Sequence, residues 1–206
     1  MHLYEDLIAI QRSPKLVAAV RRQDRVLNSK NRRRGIRARR GDGTFGQLVP
    51  GEIAILDSDY LVARGSIATV EIGVEVKILF KAMIKQIDRV IGDLQRQVTE
   101  FRRGGGNPIC VGIVGINQAA HCVGHEGNRA YPTTGQQGFL HPVQEADEAE
   151  RRLLNDALSA HDEFLIVRFR ATNELPYRFS WVDYDGLRLD YAAALARISE
   201  RYEQRF

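Results

Sequence analysis

The sequence predicts an α/β sandwich with a mixed sheet. Three stretches carry that expectation. "VEIGVEVKI" (70–78) alternates apolar and polar residues with the period of a strand. "FKAMIKQIDRVIGDLQRQVTEF" (80–101) spaces Met83, Ile84, Ile87, Val90, Ile91, Leu94 and Val98 as one helical stripe. "ICVGIVGI" (109–116) is a continuous apolar run of the kind found inside a sheet covered on both faces. A strand, a crossover helix and a buried strand, with more helices and strands on either side, make layers of helix packed on sheet.

The remaining elements follow in order. Residues 3–11 and about 14–29 read as helices, the second opened by Ser13-Pro14. The Arg- and Gly-rich stretch to Gly46 reads as irregular. Pro50-Gly51 leads into "EIAIL" (52–56), a short apolar strand, followed by a "DSD" turn and a second strand, "YLVAR". After Gly65-Ser66 comes the long strand ending near Ile78. "RRGGGNP" closes the long helix with basic residues in the last turn and Gly beyond. Residues 117–142 show no regular element, and so long a loop in a compact domain is usually functional or disordered. A helix (143–160), two strands (164–172 and 177–184) and an amphipathic helix (188–203) complete the chain. One domain is expected over the 206 residues. It divides into a helical and basic region (1–49), a core (50–116) and a C-terminal elaboration (117–206).

Composition narrows the class. The chain has 44% hydrophobic residues and no apolar run near the roughly 18–20 residues of a membrane span. The N-terminus has acids where a secretory signal needs basic residues. Cys110 and Cys122 make no disulfide framework. A cytoplasmic protein without a membrane partner is expected. The net charge of +4 is unevenly spread. Residues 30–43 are densely basic and residues 145–163 lean acidic, which suggests a polyanionic partner for the first segment.

The charges on the 70–78 strand need a reason. Residues i and i+2 share a face about 6.6–6.8 Å apart, so Glu75 and Lys77 can converge on one point. Glu71 lies roughly 13 Å from Glu75 by the same rise, too far to share an ion with it, and reads as a rim residue. Taken alone, the tripeptide is explained more simply by a buried or half-exposed ion pair, or by a strand with one solvated face.

Glu75-Val76-Lys77, with an acid-bearing segment upstream and a long helix and buried strand downstream, resembles the PD-(D/E)xK nuclease superfamily, which includes many restriction endonucleases. The resemblance covers about residues 50–116. It implies a restriction-endonuclease-like three-layer sandwich, a central mixed sheet flanked by helices. It also implies a Mg²⁺-dependent DNA endonuclease in which Mn²⁺ can substitute. The upstream acid falls at Glu52, where the family usually has Asp. Asp57 and Asp59 are rivals, but antiparallel pairing of 52–57 with 70–77 would put Asp57 some 17 Å from the site. The implied metal ligands are Glu52, Glu75 and the Val76 carbonyl, with Lys77 as the catalytic neighbour. Glu5 or Asp6 of the first helix is a further acid of a kind that completes some such sites. Gln97 echoes a Q-x-x-x-Y of some members, with Phe101 in place of Tyr, and is an accessory candidate. Lys81 and the arginines 32, 33, 34, 37, 39 and 40 (Arg32, Arg33, Arg34, Arg37, Arg39, Arg40) are implied contacts to DNA. Double-strand cleavage in this family often pairs two active sites, which allows a homodimer. Glu52 in place of Asp also leaves open a weakened site in a protein that binds nucleic acid without cutting it.

The chemistry suits these groups. Phosphodiester hydrolysis needs a barrier reduction upward of about 15 kcal/mol. Mg²⁺ takes oxygen ligands and keeps several waters. Lys77, as an ammonium, would orient the attacking water and offset charge rather than take a proton. Two other constellations compete. Cys122 and His125 form half of a zinc-type pair, with no second pair at a suitable spacing. Cys122 beside a histidine could be a thiol nucleophile, but no third group accompanies it.

Overall fold

The computed structural model describes residues 2–28, 42–134 and 140–206. Its centre is a seven-stranded mixed sheet. In chain order the elements are α1 (Leu3–Ala9), α2 (Pro14–Arg21), β1 (Arg25–Asn28), β2 (Gly43–Gln47), β3 (Arg64–Gly65), β4 (Ile72–Leu79), α3 (Met83–Arg102), β5 (Ile109–Asn117), β6 (Cys122–Glu126), β7 (Arg129–Thr133), α4 (Pro142–Asp156), β8 (Glu163–Ala171), β9 (Phe179–Trp181) and α5 (Tyr184–Arg205). The sheet order is β3-β1-β2-β4-β5-β8-β9. β1, β2 and β4 are antiparallel neighbours, β4, β5 and β8 run parallel, and β9 closes one edge antiparallel.

Helices cover both faces. Leu3, Leu7, Leu16, Val20, Ile198 and Tyr202 from α1, α2 and α5 pack on Ile72, Val74, Val111 and Leu165. On the other face, Met83, Ile87 and Leu94 of α3 meet Ala146 and Leu153 of α4 over Leu79, Val114 and Ile116. The stripe expected on α3 is buried except for half-buried Ile84, and Gln97 and Phe101 extend it. β5 is buried along its whole length, as its continuous apolar run requires. Among the described residues, no helix is long and apolar enough to cross a membrane.

Four expectations are corrected. The second helix ends at Arg21 rather than near residue 29. Its stripe breaks at Gln23-Asp24, Gln23 takes a left-handed φ of 58°, and the chain turns into β1. Residues 52–56 are not a strand, since only Ile55 forms an isolated bridge, to Arg64. The antiparallel partner of β4 is instead β2, in a stretch that read as loop because of its glycines. Gly46 is required there, because an added Cβ would lie 1.9 Å from the Thr69 carbonyl oxygen. Part of the expected 117–142 loop is the β6–β7 hairpin, which forms a separate two-stranded sheet.

The C-terminal helix is fastened electrostatically as well as by its core. Arg205 bonds the Asp162 carboxylate and the Pro108 carbonyl, and Arg197 bonds Glu163 through two nitrogens. Burial pushes the Asp162 carboxyl upward, but Arg205, the Cys110 N–H and Arg102 outweigh it, so the net direction is downward. Asp162→Asn should therefore destabilise the protein at neutral pH by about 1–2 kcal/mol, discounted for solvent screening. A depressed carboxyl contributes stability above its ordinary range and loses it as pH falls through the depressed value. Urea unfolding across pH should show the difference between Asp162→Asn and wild type closing on acidification.

Candidate active site at the edge of β4

Glu75 and Lys77 lie on the α3 side of β4. Lys77 Nζ is 2.5 Å from Glu75 Oε1. Glu75 is 8% exposed, and the sequence around it explains that burial. Gly73 precedes it on the same face, and Gly112 is its ladder partner on β5. Aromatic rings fill both glycine positions: an added Cβ would lie 2.5 Å from Phe101 at Gly73 and 2.6 Å from Phe164 at Gly112. Glu75 thus stands between two ring-covered gaps. Burial pushes its carboxyl above its ordinary value, and the nearby Asp42 charge adds to that. The Lys77 hydrogen bond and charge, together with the Asp42 N–H, pull it down without cancelling the rise.

Asp42 was not among the residues the sequence singled out, and it is the acid that meets Glu75. β2 pairs with β4 from Gly43↔Val74 to Phe45↔Ile72, so its first residues lie beside the centre of β4. Asp42 immediately precedes Gly43. Its Oδ2 accepts from the Val76 N–H at 2.7 Å, taking the place of the ladder bond that β2 no longer supplies. In a strand, a residue's N–H and C=O point to the same side. The Val76 carbonyl therefore faces the same open edge as Asp42. The one sequence signal for Asp42 was its place just before Gly43-Thr44-Phe45, and the glycines obscured that strand.

The structure separates Glu52 from this site. β2 runs away from Glu75, and the chain continues past Leu48 to Val49, whose N–H bonds Ser66. Glu52 follows in an exposed turn, with its N–H bonding the Val49 carbonyl. Seven residues of extended chain from Asp42 to Val49 put it on the order of 20 Å from the Asp42–Glu75 pair. The expected pairing of Glu52 with Glu75 is thus corrected, because the strand assumed to carry Glu52 does not exist.

Glu71 is not on the face of Glu75 either. The Glu71 N–H bonds the Phe45 carbonyl, while Phe45 is also the ladder partner of Ile72. Two residues thus oppose one, as in a β-bulge, and the alternation slips. The Glu71 carboxylate turns to the α5 side, where Arg25 Nε and the Tyr202 hydroxyl both donate to it at 2.5 Å.

Gln97 is buried on α3, one turn before Phe101. Phe101 covers Gly73, and one helical turn back matches two strand residues forward, so Gln97 lies level with Glu75. Lys81 lies against the β6–β7 hairpin: a Cβ at Gly124 would collide with it, and its ammonium is 5.5 Å from the Tyr131 ring. Arg32, Arg33, Arg34, Arg37, Arg39 and Arg40 lie outside the described residues. Glu5 accepts from the Leu61 and Val62 N–H groups, and Asp6 accepts from the Tyr191 hydroxyl. His121 Nε2 is 2.9 Å from Glu174, and burial pushes the Cys122 thiol up, away from nucleophile chemistry. Among the described residues, no three of His, Cys, Asp and Glu cluster to hold a metal. The β4 edge offers two carboxylates and one carbonyl.

Gly73→Ala should destabilise the protein by about 1–3 kcal/mol, through the forced shift of Phe101. In a double-mutant cycle read by urea unfolding, Phe101→Leu should recover part of that loss. No family model, curated protein or solved structure matches this chain.

Proposed function

We propose that the chain is a Mg²⁺-dependent DNA endonuclease of the PD-(D/E)xK type, with Asp42, Glu75 and Lys77 as its catalytic groups. One observation carries the reading: an Asp from the start of β2 lies beside the E-x-K of β4. The sequence resemblance implied a strand with an acid, the E-x-K strand, a long helix and a buried strand. β2, β4, α3 and β5 follow that order and favour the restriction-endonuclease-like form of the α/β sandwich. The acid is now Asp, as the family usually has, rather than Glu52. The Arg-rich segment also ends next to the site in sequence, with Arg40 two residues before Asp42. That position suits phosphate contacts whose affinity falls with salt.

The donor set fits Mg²⁺, since both carboxylates and the Val76 carbonyl are hard oxygen ligands that leave room for water and substrate. The ion, when bound, supplies Lewis acidity toward the phosphoryl oxygen and a more acidic water. The protein's own groups do the rest. Asp42 and Glu75 hold opposite sides of one edge, fixed by the β2–β4 ladder. Lys77 presents an ammonium next to Glu75, placed to orient the attacking water and to stabilise charge as it develops. The packing of Phe101 and Phe164 keeps water from the back of the site, which strengthens each of these interactions. The alternative of a binding protein with a weakened site rested on Glu52, and an Asp beside the E-x-K supports the cleaving reading over it.

Plasmid and oligonucleotide cleavage with Mg²⁺ or Mn²⁺ tests the reading. Asp42→Ala, Glu75→Ala and Lys77→Ala should each lower turnover by roughly 10²-fold or more, as expected for groups acting on the developing charge. Glu52→Ala should leave it within about twofold. Mg²⁺ should raise the melting temperature of wild type and not of Asp42→Asn, because metal relieves the repulsion between the two acids. Cleavage that survives Asp42→Ala and Glu75→Ala would sink the site, and cleavage lost with Glu52→Ala would restore the original assignment.

A further inference from the structure

Beside the α1 layer, the sheet carries a cleft of about 550 Å³, within the roughly 300–1,000 Å³ usual for small-ligand sites. Leu27, Val62, Val74 and Val76 line it, together with the rings of Tyr4 and Tyr60. Arg64 sits over the Tyr60 ring at 5.3 Å, and the His2 ring lies 6.3 Å from the same ring. Asp42 also lines the cleft. The same aspartate bonds Val76 at the β4 edge, so cleft and catalytic edge share a wall. The Tyr60 side of the cleft is held in place, because Glu5 of α1 bonds the next two backbone N–H groups, at Leu61 and Val62.

Apolar walls with aromatic faces and one planar cation do not select a phosphate. They suit a flat heteroaromatic ring, which stacks on a tyrosine face or on the outer face of the Arg64 guanidinium, whose inner face meets Tyr60 and whose Nε lies 3.5 Å from Asp57. We propose that this cleft takes the base of a nucleotide next to the scissile phosphate, so that the substrate is DNA with an unpaired or extruded nucleotide. The inference rests on the nuclease reading for the position of that phosphate. A base inside a duplex is stacked on both sides and paired at its edge, and it must leave the stack to enter a cleft. That cost is least for single strands, flaps and mismatches, and stacking on protein rings offsets it without regard to sequence.

Single-stranded oligonucleotides carrying 2-aminopurine at successive positions test this, with Ca²⁺ in place of Mg²⁺ for binding and Mg²⁺ for cleavage. Wild type should quench the probe at one position and bind the single strand at least tenfold more tightly than a blunt duplex. Tyr60→Ala should lose the quench and weaken binding roughly tenfold, the loss expected for one stacked ring. Tyr60→Phe should keep both, and unchanged melting temperatures would show that each variant is folded. Wild-type quenching and affinity in a folded Tyr60→Ala, with Mg²⁺ cleavage still dependent on Asp42, would overturn the cleft and leave the nuclease reading intact. A quench lost in Tyr60→Ala, in a protein that cleaves no DNA, would keep the cleft as a nucleobase site and remove the nuclease reading.

Discussion

The structure turns on one buried carboxylate. Glu75 sits in the middle of a sheet covered on both faces, where an ionised group loses most of its hydration. Lys77 and the Asp42 N–H offset part of that loss, and the carboxyl still lies above its ordinary value. A buried ion pair is weak evidence for stability, because well-packed apolar side chains of similar volume often do as well or better. Gly73 and Gly112 sharpen the point. Each gives up a side chain so that Phe101 or Phe164 can close over the strand beside Glu75. The sheet therefore shapes its interior around a group that costs it stability, as functional carboxylates commonly require.

Glu71 shows how little sequence separates a structural acid from a candidate catalytic one. Both acids are buried on the same chain segment, four residues apart. The bulge opposite Phe45 turns Glu71 toward α5, where Arg25 and Tyr202 each donate a hydrogen bond to one of its oxygens. It ties β1, β4 and α5 together, and it has no open edge beside it. Glu75, past the bulge, faces the edge where β2 stops. Ladder geometry, rather than residue type, separates the two roles.

The elements whose apolar period was unbroken were legible in the sequence: α3, β4, β5 and the strand that became β8. Their burial comes from the same residues that set the period, so pattern and packing agree. β2 was not legible. Gly43 and Gly46 weaken strand propensity, and the need for Gly46 lies in the Thr69 backbone, which approaches it from 23 residues downstream. β1 was hidden because Val26 and Leu27, beyond the break at Gln23-Asp24, read as a continuation of the preceding helix. Losing β2 moved the expected partner of β4 to "EIAIL", and with it the upstream acid to Glu52. The E-x-K half of the candidate site was readable because its spacing is local. The other half depends on which strand pairs with β4, and that is a long-range fact.

Asp42 has a physical advantage over an acid on a longer arm. Its side chain is short, and two hydrogen bonds on opposite parts of the residue fix it. Its carboxylate accepts from Val76, and its own N–H supports the Glu75 carboxylate. The same residue thus ends one strand, satisfies the exposed N–H of the next and holds a charge beside Glu75. A glutamate at the end of a turn would have to order its extra torsion on binding, at a cost in side-chain entropy. Groups that stabilise charge work best when their positions are set before the charge arrives. Here the β2–β4 ladder sets them as the sheet forms, so the two acids are brought together by the same contacts that hold the core.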